Sequence, residues 1–430
     1  MNYEDTIQYL YNSAPLFQHI GGQAYKEGLQ TTHILDAHFG HPHEHFKTIH
    51  VAGTNGKGSC AHTIAAVLQS AGYRVGLYTS PHLLDFRERI RVNGEQIPQQ
   101  YVVEFVETEK SFFEPLHPSF FEITTAMAFK FFKDERVDVA VVEVGLGGRL
   151  DCTNIIVPQL SIITNIGFDH MQFLGNTYES IAREKAGIIK SGIPVVVGEY
   201  NEETRSVFEQ KAHEMQAPIV FASDFPLIGS SQEQVSSSRG RMYQTKEYGP
   251  VYGELAGIYQ EKNANTILHA IHFIRKAGFE IGESHVKEGF ARVCELTGLR
   301  GRWQVLSDTP YIVCDTAHNI DGFKAVVPQI LSHRCKHLRI VMGVVGDKDV
   351  DSILRILPSG AIYYFTKPSV SRALSEKELS ENAHAYGLNG DTYPSVEEAF
   401  RQASADAGPE DMIYVGGSNF VVADLLESLV

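Results

Sequence analysis

Short apolar, β-branched runs alternate along the chain with segments whose apolar residues recur every three or four positions. FKTIHVA (46–52), YRVGLYT (73–79), VDVAVVEV (137–144), LSIITNI (160–166) and IPVVVG (193–198) predict strands with helical patterns between them. That order predicts βαβ units and a mostly parallel sheet. Residues 229–254 are rich in Ser, Gln and Gly and end in MYQTKEYGPVYGEL, which predicts an exposed hairpin or a peripheral β segment. Helical patterns follow at 260–277 and 283–296. TGLRGRW (297–303) interrupts them with two glycines and flanking arginines, and a domain boundary is placed there, near residue 298. The alternation then resumes with strands YIVCD (311–315), LRIVMGV (338–344), AIYYFT (361–366) and MIYVGG (412–417). The reading is a larger α/β domain over 1–298 and a smaller one over 299–430.

One position breaks the helical pattern. In ESIAREKAGIIK (179–190), Ile181 and Ala182 precede Lys185 by four and three residues, and Ile188 and Ile189 follow it by the same steps. Residues so spaced share a helix face, so Lys185 points into an apolar stripe. A buried cation there is costly. Spacing alone favours a packed stem with the ammonium snorkelling to water. The other reading is a neutral amine that takes up CO₂ as a carbamate and becomes an anionic metal ligand.

Composition narrows the classes. The chain has 430 residues, 43% hydrophobic and 21% charged, which suits two ordinary globular domains. A formal net charge of −15 argues against broad nucleic-acid binding, and an anionic ligand needs local cations or metal. The opening MNYEDTIQYL is neither basic nor followed by a long apolar run, so no signal peptide and no membrane segment are expected. The five cysteines (Cys60, Cys152, Cys294, Cys314 and Cys335) lack C-x-x-C spacing and read as the reduced thiols of a cytoplasmic protein.

GTNGKGS (53–59) follows a predicted strand and precedes a helical pattern carrying Ile64, Ala65, Val67, Leu68 and Ala71. Strand, glycine loop and helix make a phosphate cradle of backbone N–H groups, with Lys57 as point charge. The match to G-x-x-x-x-G-K-[ST] is imperfect: Val51 stands at the first glycine, and Gly58 separates Lys57 from Ser59. Ser80, Glu143 and His170 follow or end other strands, and ligands of open α/β sheets bind at the strands' carboxyl ends. A hydroxyl and a carboxylate are oxygen ligands that Mg²⁺ prefers, and imidazole is a less usual one. Each residue taken singly is more often solvated or structural. FRERIRVNG (86–94) alternates Arg87, Arg89 and Arg91, which would share one face if extended, though such residues more often pair with neighbours such as Glu88. HFGHPHEH (38–45) lacks clear ligand geometry and reads as a surface loop without metal.

At this point the motifs meet a known pattern. GTNGKGS, TSPHL (79–83), FRERIRVNG, FFEITTAMAF (120–129), VEVGLGGRLDCTN (142–154), ITNIGFDH (163–170), LGNTYESIAREKAGIIKSGIPVV (174–196), GRWQ (301–304), DTAHNIDG (315–322) and GDKD (346–349) occur in this order. The chain resembles the folylpolyglutamate synthase and dihydrofolate synthase enzymes of the Mur ligase superfamily. The resemblance implies a P-loop-type, mostly parallel sheet domain with a smaller Rossmann-like domain closing over ATP. It implies that Gly53, Thr54, Asn55, Gly56, Lys57, Gly58 and Ser59 cradle ATP phosphates. Asn263, Arg302, Asp315 and His318 are implied as further nucleotide contacts. Ser80, Glu143, His170 and a carbamylated Lys185 would hold magnesium, two ions in all, and Phe121, Glu122, Asp151 and Cys152 would meet the pterin. Lys57, Lys185, His170 and Glu143 are the implied catalytic set. Three positions depart from the usual pattern: Thr316 replaces Gly, Cys152 replaces Ala, and Tyr259 replaces the His before Gln260. Cys152 and Tyr259 bear on substrate preference more than on chemistry, and Thr316 is the least harmful if its backbone is not in a glycine-only conformation.

The implied reaction is ATP-dependent amide formation, with dihydropteroate or a reduced folate as acid and L-glutamate as amine. No nucleic acid, membrane or partner chain is expected, and the protein is read as a monomer. The rivals are a single-activity folylpolyglutamate synthase, a Mur-type cell-wall precursor ligase, and a non-catalytic nucleotide-binding switch.

Overall fold

The computed structural model describes residues 1–13, 28–233, 239–346 and 348–429. Asp347 of the GDKD motif and part of the 229–254 segment lie outside them. The described residues up to Glu254 (Arg239 aside), with Gln260–Leu299, form one compact unit; Leu255–Tyr259 belong with residues from Arg300 onward in a second.

The first unit is built on an eight-stranded sheet. Its strands are β1 (Lys47–Ala52), β2 (Val75–Tyr78), β3 (Ile90–Val92), β4 (Glu95–Gln96), β5 (Val139–Glu143), β6 (Leu160–Ile163), β7 (Val195–Val197) and β8 (Ile219–Phe221), in the order β4-β3-β2-β5-β1-β6-β7-β8. Only β3 and β4 run antiparallel to their neighbours. The central strands are buried on both faces, which is why they read as apolar runs rather than strict alternations. Period two sends Ile49, Val51, Val139 and Val141 to the face covered by the helices Lys57–Ser70 and Gln260–Lys276. Ala140 and Val142 meet an aromatic-rich layer from the helices Gln99–Phe113 and Phe120–Asp134. From β1 the chain runs to one side of that strand, and after β5 it returns to the other side, so the ends of β5, β1 and β6 frame a topological switch point.

The 229–254 region is a three-stranded antiparallel sheet of β9 (Ile228–Glu233), β10 (Arg241–Thr245) and β11 (Gly249–Gly253), anchored by buried Tyr243, Tyr248 and Val251. The 283–296 pattern divides into Glu283–Ala291 and Val293–Thr297, because Arg292 leaves helical geometry (φ −131°, ψ 32°). The second unit has a six-stranded sheet of β12 (Gln304–Asp308), β13 (Tyr311–Asp315), β14 (Leu338–Met342), β15 (Ile362–Phe365), β16 (Asn389–Thr392) and β17 (Met412–Gly416). The order is β12-β13-β17-β14-β15-β16, parallel except at β12. No helix among the described residues is long and apolar enough to cross a membrane.

The arginine alternation does not form one face. Asp85 caps a 3₁₀ turn over Phe86–Arg89, so only Arg91 is extended, and Arg87 pairs with Asp85 at 2.6 Å rather than with Glu88. The histidine-rich stretch has its own anchor. Buried Asp36 receives Nδ1 of His41 and Nδ1 of His43, both at 2.7 Å. Those bonds hold the Asp36 carboxyl below its ordinary pKa against the opposing effect of burial. A lowered folded value means stability that is present above about pH 4 and is lost as pH falls through the folded pKa. Asp36→Ala is therefore expected to cost about 2 kcal/mol at pH 7, with the gap to the unmodified protein closing in acid. Thermal melts at pH 7 and below pH 3 check it; an equal gap at both would contradict it.

Candidate active site

The loop after β1 is shaped by two glycines. Gly53 has φ +146° and Gly56 φ +84°, backbone that side-chain-bearing residues rarely adopt. A Cβ on Gly53 would lie 1.8 Å from Thr164 Oγ1, and one on Gly56 would lie 2.4 Å from Asn263 Oδ1. Gly56 opens the helix Lys57–Ser70, whose first N–H groups and dipole favour an anion. The segment leaving β6 clamps the loop from beside. The Thr54 amide donates to Asn165 O (3.0 Å), the Asn55 amide to Asn165 Oδ1 (2.9 Å), and Thr164 Oγ1 to Asn55 O (2.6 Å). Gln260 Nε2 donates to Ser59 Oγ at 3.1 Å, and Asn263 Nδ2 donates to Gln260 Oε1 at 2.8 Å. Gln260, Thr164 and Asn165 were not read as site residues, because their role is to hold a backbone and no local pattern marks it.

Lys57 Nζ donates to Gly53 O and Thr54 O, each at 3.0 Å. Lys185 Nζ donates to the same Gly53 carbonyl at 2.9 Å. Lys185 does not snorkel: it is 4% exposed, and burial, with Lys57 beside it, brings its pKa down to about 7 despite Asp169, Asp151 and Glu184. At pH 7 about half of such amines are neutral, against about one in three thousand for an ordinary lysine. The sequence pattern exposed the oddity; the partner on Gly53, 132 residues away, was beyond it.

Ser80 and Glu143 come together at the ends of β2 and β5. The Ser80 amide donates to Glu143 Oε2 at 3.3 Å, and Glu143 is 3% exposed. Arg89 is a buried cation whose charge reaches Glu143; its Nε donates to His82 Nδ1 at 2.8 Å and its guanidinium lies over Phe120. His170 takes φ +53° just before the short helix Met171–Leu174, with Nε2 3.8 Å from Asp169 Oδ2. Among the described residues no group of three or more His, Cys, Asp or Glu is placed to hold a metal ion.

Phe121 stacks on Tyr78 with centroids 5.7 Å apart and borders Gly145. Glu122 Oε2 accepts the Ser119 amide at 2.7 Å, closing a capping box on its helix. Cys152 is partly buried, and desolvation, with the charges of Asp151 and Glu122, raises its pKa. Asp151 accepts the amides of Leu146 (2.8 Å) and Thr153 (3.0 Å) and the Thr153 hydroxyl (2.5 Å).

In the second unit, Asp315 ends β13 and is buried. Its oxygens accept the Tyr259 hydroxyl (2.5 Å) and the amides of Trp303 (2.7 Å) and Ala317 (2.8 Å). Burial raises its pKa and these donors oppose the rise. Arg302 donates to Thr316 Oγ1, and His318 Nδ1 lies 3.0 Å from Thr316 O. Thr316 keeps negative φ, so the absence of glycine there imposes no backbone strain.

The first unit therefore offers an anion cradle with two lysines on one carbonyl and a carboxylate–serine pair. Such a site suits phosphoryl chemistry. The Mur ligase middle domain model matches residues 51–264, and the Mur ligase, glutamate ligase domain model matches 301–419. The dihydrofolate synthase/folylpolyglutamate synthase of Bacillus subtilis is 32% identical over 417 residues, 94% of this chain and 95% of that protein. The structure of Escherichia coli FolC in complex with DHPP and ADP aligns with TM-score 0.82 and 31% identity, covering 100% of this chain and 98% of that one. The bifunctional folylpolyglutamate synthase/dihydrofolate synthase of Yersinia pestis, complexed with AMPPNP and Mn ion, aligns with TM-score 0.81 and 29% identity over 100% and 98%.

Proposed function

The chain belongs to the dihydrofolate synthase/folylpolyglutamate synthase family of Mur ligases, and on that premise we propose that it adds L-glutamate both to dihydropteroate and to reduced folates. It is an ATP-dependent acid–amino-acid ligase. The observation that carries the ligase chemistry is the pair of lysines sharing the Gly53 carbonyl beside a loop shaped for phosphate.

The glycine cradle and Lys57 bind the ATP phosphates. Lys57 neutralises charge as the γ-phosphoryl group moves to the acid's carboxylate, giving an acyl phosphate and ADP. The glutamate amine then attacks the acyl carbon, the amide forms, and inorganic phosphate leaves. Ser80 and Glu143 are hard oxygen donors held together, and they would hold a magnesium ion. The ion supplies Lewis-acid stabilisation of phosphoryl charge. His170 would be a further ligand by resemblance alone, and Asp169 beside it acts on Lys185.

Neutral Lys185 attacks CO₂ through its nitrogen and releases one proton, leaving an N–H carbamate. That N–H can keep its bond to Gly53 O, and the new anion replaces Lys57–Lys185 repulsion with attraction. Phe121, Glu122, Asp151 and Cys152 form the pterin side. Arg302, Asp315, His318 and Asn263 are further nucleotide contacts by resemblance alone, and the Tyr259 hydroxyl donates to Asp315. The five cysteines are free thiols, in keeping with a reducing cytoplasm.

Acid labelled with ¹⁸O in its carboxylate tests the intermediate. One labelled oxygen should leave in inorganic phosphate for each amide formed; unlabelled phosphate would overturn the acyl-phosphate route.

A further inference from the structure

His50 sits in mid-β1, in register between Val142 of β5 and Ser161 of β6, and is fully buried. An imidazole in a central strand needs a partner. Its Nε2 lies 2.8 Å from Thr153 Oγ1, 103 residues further along. Thr153 has one hydroxyl hydrogen, and it goes to Asp151 Oδ1 at 2.5 Å. The imidazole must then be the donor, so Nε2 carries the hydrogen. Nδ1 has no hydrogen-bond partner among the described residues. Burial holds the ring's pKa down to about 3, so it is uncharged.

Asp151 is committed to its own loop. It accepts the Leu146 amide at one end of residues 145–154 and the Thr153 amide and hydroxyl at the other. A carboxylate has about four acceptor positions, so these three bonds use most of them. That loop leaves β5 just past Glu143. Gly145 approaches Phe121 so closely that a Cβ would lie 2.5 Å from its ring. The Arg149 amide donates to Glu184 O at 2.7 Å, next to Lys185. The phosphate loop, by contrast, is anchored by Thr164, Asn165, Gln260 and Asn263, none of which belongs to this chain of bonds.

We propose that His50 and Thr153 are positioning residues for the pterin-bearing substrate: the relay His50–Thr153–Asp151 sets loop 145–154 against Phe121 and so governs binding of that substrate and not of ATP. This rests on the assignment of Phe121, Glu122, Asp151 and Cys152 to the pterin side. Removing the hydroxyl leaves a buried imidazole N–H and a carboxylate oxygen each short of a partner.

The test compares Thr153→Val with Thr153→Ser. T153V should raise KM for tetrahydrofolate about tenfold and leave KM for ATP within about twofold, and T153S should recover most of the lost affinity. If T153V does not fold, His50→Leu and His50→Gln replace the pair, the glutamine supplying an N–H near the Nε2 position. Unchanged KM for tetrahydrofolate in T153V would overturn the proposal, as would a parallel rise for folate and ATP. ¹⁵N NMR of the histidines is a readout independent of turnover. It should show His50 as the neutral Nε2–H form, with its Nε2 signal displaced in T153V; a protonated or Nδ1–H ring would also overturn the relay. Absence of ligation by the unmodified enzyme would defeat the functional assignment, and the relay would then be decided by the ¹⁵N result.

Discussion

Lys185→Ala is expected to bind ATP within a few-fold of the unmodified enzyme and to ligate glutamate about a thousandfold more slowly. The residue is buried, bonded to the Gly53 carbonyl and close to Lys57, and its pKa of about 7 leaves much of the amine neutral. An amine in that state reacts with CO₂, whereas an ordinary lysine at pH 7 is almost wholly protonated. Removing dissolved CO₂ should therefore slow the unmodified enzyme reversibly and leave the alanine variant unaffected. Normal turnover by the variant, with and without bicarbonate, would refute the role. Stability carries a second signature in CO₂-free buffer. The folded pKa lies below the unfolded one, so the unfolded chain holds the proton more readily between about pH 7 and pH 10.5. The stability contribution is full above that window and is lost as pH falls through it. Lys185→Ala should flatten this dependence, as denaturant titrations across the window would show.

Glu143→Gln is the second large effect. Glutamine keeps an oxygen for the Ser80 amide, so the local geometry survives while the charge goes. Glu143 is buried at the strand end with Ser80 beside it, and a carboxylate there is a hard oxygen donor of the kind a magnesium ion takes. The variant should lose about two to three orders of magnitude in kcat and bind Mn²⁺ more weakly, measured by electron paramagnetic resonance in the presence of a non-hydrolysable ATP analogue. Wild-type kcat with undiminished Mn²⁺ affinity would remove Glu143 from the metal site.

The parallel sheets were legible because strands buried on both faces carry apolar residues at most positions, as β1, β5 and β6 do. The shape of the glycine loop was legible because it is local: two positive-φ glycines, a lysine and a helix start lie within a few residues. Lys185 was legible as a conflict between a cation and an apolar stripe, though not as a residue facing Gly53. What stayed hidden is non-local or polar. His50 lies inside the predicted strand FKTIHVA, and nothing local marks its role, since its partner Thr153 is far off in sequence. Arg87 and Arg89 followed a strand-like alternation, but the Asp85–Glu88 capping box turned that stretch into a 3₁₀ helix. Of the edge strands, β12 is half-buried and β16 largely exposed, and both carry polar residues, so they lack the apolar run that marked their neighbours. Tyr259, noted for departing from the family pattern, gained a meaning only when its hydroxyl was found on Asp315.

The central claim is that one site ligates glutamate to two acids. Mass spectrometry of products tests it most directly. The purified protein is incubated with ATP, Mg²⁺ and L-glutamate, with dihydropteroate in one reaction and tetrahydrofolate in the other. A gain of one glutamyl unit on dihydropteroate, and of at least one on tetrahydrofolate, is the predicted result. A gain on one acid alone would contradict the dual specificity, and no gain on either, from folded protein that binds ATP, would contradict the assignment as a folate ligase.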